Sequence, residues 1–162
     1  MTDLIANTNS FGILALLVSA IAAGSLRRRD WLIIAVLLAV MAMVIATGLH
    51  WLVHDRVRTA LMKEGLYGDH LSLQLVITAF GASIFTGLGL WIVYTRHGAR
   101  RWAALTTLAM IALFCVQALS VHAVDAFLGM KMGPMMVIGW LWGGGALTIM
   151  AIAIFASRTN KV

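Results

Sequence analysis

Five long apolar stretches, separated by short polar or charged segments, dominate the hydrophobic pattern of the chain. A bilayer core about 30 Å thick requires about 20 mostly apolar residues for each spanning α-helix. The pattern predicts transmembrane helices at about residues 5–26, 31–53, 70–94, 102–128 and 134–156. The predicted fold class is therefore all-α. The chain is expected to be a polytopic membrane protein whose 162 residues form one bundle of about five helices.

Composition supports the membrane class and excludes an ordinary water-soluble fold. Of the residues, 62% are apolar and 11% are charged, whereas soluble domains carry roughly a quarter charged residues. The first stretch is the shortest, but no basic segment precedes it. Arg27, Arg28 and Arg29 follow it where a signal peptidase would cut, so we interpret it as a retained helix.

The distribution of basic residues predicts the orientation, because lysine and arginine concentrate in short cytoplasmic loops. With the amino terminus outside, eight basic residues and one acid, Asp30, fall on the inner side: Arg27, Arg28, Arg29, Arg96, Arg100, Arg101, Arg158 and Lys161. The outer side holds four basic residues, Arg56, Arg58, Lys63 and Lys131, and five acids, Asp3, Asp55, Glu64, Asp69 and Asp125. The carboxyl terminus is then cytoplasmic, and loop 54–69 is external.

This orientation also explains the net charge of +6, since the basic residues lie in short clusters between apolar runs. We therefore expect the partner to be a lipid bilayer and not a nucleic acid. The expected location is a bacterial-type inner (plasma) membrane, which the chain crosses several times.

In this topology four of the five histidines fall near the outer face: His50, His54, His70 and His122. Asp125 lies one helical turn after His122 in an apolar segment. Ionisable groups within lipid are costly and usually face the bundle interior, so they are functional candidates by default. A carboxylate that orients a histidine is also the usual second partner in a metal site.

Several imidazoles with one carboxylate suit zinc, copper or iron. Four methionines near the same face, Met130, Met132, Met135 and Met136, would favour Cu(I). Two histidines on different helices would instead suit a b-type haem. Two structural readings compete with these, because histidines sit readily at the headgroup level and methionines are common apolar filler.

Small residues predict close helix packing at two places. Ser83 and Gly87 in the third stretch, and Gly139 and Gly143 in the fifth, stand four residues apart. Such pairs let helix backbones approach in lipid, where the hydrophobic effect does not drive helices together. The partner helix belongs either to the same chain or to another subunit.

Three functions remain open. The first is a membrane protein with an outer His/Asp site for a redox metal or haem, working in electron transfer or quinol redox chemistry with a membrane quinone as partner. The second is a non-catalytic accessory or assembly subunit of a larger membrane complex. A homo-oligomer is an alternative assembly that the sequence leaves open. The third is a small ion or metal transporter. The HExxH, nucleotide-binding and CxxCH motifs are missing, and the sequence does not decide whether the protein is an enzyme.

Overall fold

The computed structural model describes residues 2–49, 51–52, 55–56, 59, 70–119 and 122–159. Within these ranges the side chains of residues 2, 70–75, 77, 118–119, 122–123 and 125 lie outside the description. Five helices in the described part are long and apolar enough to cross a membrane. The five apolar helices predicted from the hydrophobic pattern are thus present.

The described helices, numbered in chain order, are α1 (Thr2–Gly24), α2 (Arg29–Ala46), α3 (His70–Thr95), α4 (Gly98–Leu119), α5 (His122–Leu128) and α6 (Val137–Thr159). Two short strands, β1 (Lys131–Met132) and β2 (Met135–Met136), pair antiparallel between α5 and α6. All of these helices except the seven-residue α5 are membrane-spanning candidates.

Helix α2 ends at Ala46, seven residues before the limit of residue 53 that hydropathy predicts. Gly48 has a φ of 66°, the left-handed conformation that favours glycine, and its N–H donates to the Ile45 carbonyl. Thr47 donates its hydroxyl to the Met43 carbonyl. The apolar run continues beyond this point, but a glycine cap stops the helix within it.

The fourth and fifth predicted helices also differ from the observed elements. The stretch at residues 102–128 divides into α4 and the separate helix α5, and α6 begins only at Val137. The hairpin before α6 turns through Gly133 and Pro134, and Gly133 has a φ of 69°. A positive φ at the first central residue is what a type II′ hairpin turn requires. Hydropathy carries no signal for such a turn.

The core lies where α1 packs between α2 and α6, and α4 packs against α6. Leu16, Trp31, Leu38 and Trp142 are almost fully buried there. Ser19 donates a hydrogen bond of 2.7 Å to the Ala146 carbonyl, which links α1 to α6. Helix α3 packs against α4 at the periphery, and only 6% of the residues in its apolar segment Thr78–Thr95 are buried.

Two contacts show which helix ends lie together. The Met136 N–H donates to the Thr8 hydroxyl at 3.0 Å, so the hairpin lies beside the start of α1. Arg96, just after α3, pairs with Asp30 at the start of α2. We call these two ends of the bundle the hairpin end and the arginine end. Helices α1, α3 and α6 begin at the hairpin end, and α2 and α4 begin at the arginine end.

Candidate functional site

The predicted metal ligands are placed by the backbone of the hairpin end. His70 is the first residue of α3, and His122 is the first residue of α5. Asp125 follows His122 by three residues on the same short helix, so the two positions share a helical face. Helix α5 contacts both α4 and α6. The chain therefore brings His70, His122 and Asp125 to one end of the bundle.

The structure does not describe how the side chains of the five predicted ligands are arranged. His50 and His54 lie outside the described residues, and of His70, His122 and Asp125 only the backbone is described. Among the side chains that are described, no three His, Cys, Asp or Glu residues form a group that could hold a metal ion. The five-residue ligand set thus stays a prediction.

The four methionines of the segment lie in the hairpin or directly before it, and their side chains differ in exposure. Met130 and Met132 are more than half exposed, whereas Met135 is buried and Met136 packs against the core. Trp140 donates its indole N–H to the Met132 carbonyl at 2.9 Å, which ties the first strand to α6. Two thioethers therefore face outward and two face the bundle.

The two pairs of small residues lie in different surroundings. A Cβ atom added at Gly139 would lie 2.9 Å from Cγ2 of Thr8, and one at Gly143 would overlap the ring of Phe11. Ser83 is exposed, and a Cβ at Gly87 would meet nothing within 4 Å. The α6 pair thus lies against α1, while the described surroundings of the α3 pair are open.

A polar cluster at the arginine end was not singled out by the sequence analysis. Nη1 of Arg96 lies 2.6 Å from Oδ1 of Asp30, and Nη1 of Arg100 lies 3.2 Å from Oδ2 of the same carboxylate. The signal for it was available, because Asp30 is the one acid among the predicted inner segments. The sequence analysis used these residues only to infer orientation.

The fold defines the class of protein, an α-helical bundle with five helices long and apolar enough to cross a membrane. No family model, curated protein or solved structure matches the chain.

Proposed function

We propose that the chain is a small multi-pass membrane protein that binds a redox metal or a b-type haem at the hairpin end and works in electron transfer. One observation supports the proposal above the others: the helices α3 and α5 begin at the same end, with His70 and His122 as their first residues. Two imidazoles on separate helices are an arrangement that suits a b-type haem, because imidazoles bind haem iron.

The roles of the other residues follow from their chemistry. Asp125 would accept a hydrogen bond from the ring N–H of His122 and fix its tautomer. His50 and His54 are the further ligand candidates, and the exposed thioethers of Met130 and Met132 would add affinity for Cu(I). With basic residues inside, the hairpin end would face the outside of a bacterial-type inner membrane, where a membrane quinone is the proposed electron partner.

A purified sample gives the direct test of this proposal. The protein should be extracted in mild detergent and examined by optical spectroscopy and by elemental analysis for iron, copper and zinc. We expect either a Soret band or a stoichiometric transition metal. A sample with neither a Soret band nor a stoichiometric metal would exclude the proposal.

A second function, that of an accessory subunit, is favoured by the exposure of α3. Ala79, Ser83 and Gly87 are all exposed and follow one another at steps of four, which places them on one face. Ile92, on the face toward α4, is buried. The small-residue face is suited to a transmembrane helix of another subunit, because small side chains let two backbones approach closely.

The test of the accessory role is the mass of the particle in mild detergent. We expect a particle that holds a second, different polypeptide and whose protein mass is well above the 17.5 kDa of the single chain. Gly87→Leu should release that polypeptide. Gly144→Leu should retain it, since Gly144 is an equally open glycine on α6. An isolated chain or a plain homo-oligomer would count against this role.

Of the three hypotheses, the described side chains support the transporter hypothesis least. The buried polar groups among them are the hydroxyls of Thr8, Ser19 and Thr107, the amide oxygen of Gln117 and the indole nitrogen of Trp142. Thr8 and Thr107 donate to carbonyls of their own helices, and Ser19 donates to the Ala146 carbonyl of α6. Hydroxyl, amide and indole groups do not titrate near neutral pH, so these buried groups do not form a chain of titratable groups across the bundle.

A further inference from the structure

A groove of about 250 Å³ opens between α2, α3 and α4 at the arginine end. Its polar end holds Asp30, Arg96 and Arg100, and its walls are apolar and include Leu37, Trp91 and Ile111. We call it the arginine-end groove. It lies at the opposite end of the bundle from the predicted metal ligands, so it is a separate feature.

The charges at the polar end do not balance. One carboxylate, Asp30, accepts from two guanidinium groups, so the cluster carries an excess of one positive charge. A guanidinium has five N–H donors, and each of these ion pairs uses one of them. Arg100 is 49% exposed, which leaves its other donors accessible. The polar end is therefore suited to an anion that offers several acceptor oxygens.

The apolar wall has the length of one lipid leaflet. From Arg100 to Ile111 the groove follows α4 for eleven residues, or about 16 Å at 1.5 Å per residue. This is about half of a 30 Å bilayer core. Ile33, which also lines the groove, is half exposed, so the wall is open to its surroundings along one side. A molecule that fills it needs a long apolar part as well as an anionic head.

We propose that the arginine-end groove binds one anionic phospholipid, with its phosphate at Arg96 and Arg100 and one acyl chain along Leu37, Leu108 and Ile111. A free phosphate would leave the apolar wall uncovered. The head group of a zwitterionic lipid would bring an additional positive charge close to the two arginines. Basic pockets between membrane helices on the cytoplasmic side are suited to anionic head groups, and the charge distribution predicts that side for this end.

Bromine quenching of Trp91 tests the proposal on the full chain. The protein is placed in bilayer nanodiscs of phosphatidylcholine that contain a small fraction of lipid with brominated acyl chains, which quench indole fluorescence on contact. The chain has six tryptophans, so the contribution of Trp91 is taken as the difference from a Trp91→Phe variant. At equal mole fraction we expect brominated phosphatidylglycerol to quench Trp91 about fivefold more effectively than brominated phosphatidylcholine.

Two neighbouring arginines provide the matched variants. Arg100→Gln should remove most of the preference for phosphatidylglycerol. Arg101→Gln should preserve it, because the Arg101 guanidinium lies 5.5 Å over the Trp102 ring and does not line the groove. If Arg100→Gln does not fold, the proposal is still tested by comparing how strongly the two lipids quench Trp91 in the wild-type chain.

Three results would overturn the proposal. The first is equal quenching of Trp91 by both lipids. The second is an Arg100→Gln protein that keeps the full preference. The third is an equal loss of the preference in Arg100→Gln and Arg101→Gln, since a general attraction of anionic lipid to basic residues would then explain it.

Discussion

A Gly143→Leu variant is expected to lose about 3 kcal/mol of folding free energy, at the upper end of the usual cost of overpacking. The reason is steric. A Cβ atom at position 143 would overlap the ring of Phe11 on α1. That ring also packs against Trp140, with centroids 5.8 Å apart, so it has little freedom to move aside. The leucine would separate α1 from α6 at the centre of the bundle.

Gly144→Leu is the matched control for this prediction. The same change is made one residue further along α6, where an added Cβ meets nothing within 4 Å. Reversible unfolding in mixed micelles, followed by tryptophan fluorescence, would give both free energies. We expect the control to stay within about 0.5 kcal/mol of the wild type, as surface substitutions usually do. Equal losses in the two variants would show that α6 does not pack on α1 through Gly143.

The α1–α6 contact matters because apolar burial does little to hold helices together in lipid. Association there depends on close packing and on hydrogen bonds between helices. Both are present at this interface. Gly139 lies against Thr8, and Ser19 donates to the Ala146 carbonyl on the other helix. The bond uses a carbonyl that already belongs to a helix, so it adds attraction without breaking the backbone ladder.

The number of long helices was predictable from the sequence, since each must supply enough apolar residues to cross the bilayer. The ends of the helices were less predictable. The stretch at residues 31–53 is mostly apolar, yet α2 ends at Ala46 because Gly48 adopts a positive φ. The turn at Gly133 and Pro134 likewise depends on backbone conformation and not on hydropathy.

The clusters of side chains were harder to predict, because periodicity relates positions within one helix and not between helices. Asp30 finds its partners 66 and 70 residues away, at Arg96 and Arg100. The sequence could show that a lone acid stands among inner basic residues. It could not show that the acid bridges α2 to α3 and α4. The distances that would join His70 to His122 depend on helix placement in the same way.

His122→Ala is expected to abolish binding of the proposed metal or haem. His70→Ala should do the same. Each substitution would remove one of the two bonds between the haem iron and the protein, so the Soret band or the metal content should fall toward background. Asp125→Asn should have a smaller effect, because loss of an orienting partner typically costs about 10-fold to 100-fold in metal affinity.

His97→Ala is the matched control, since it removes the same side chain at the arginine end. Helix α3, which separates His70 from that end, has 26 residues and a length of about 39 Å. Metal–nitrogen bonds are only about 2 Å long, so His97 and His70 cannot share one metal ion. Full cofactor content in His122→Ala, or equal losses in His122→Ala and His97→Ala, would remove the hairpin end as the binding site. Loss confined to the hairpin-end variants would assign the ligands to α3 and α5.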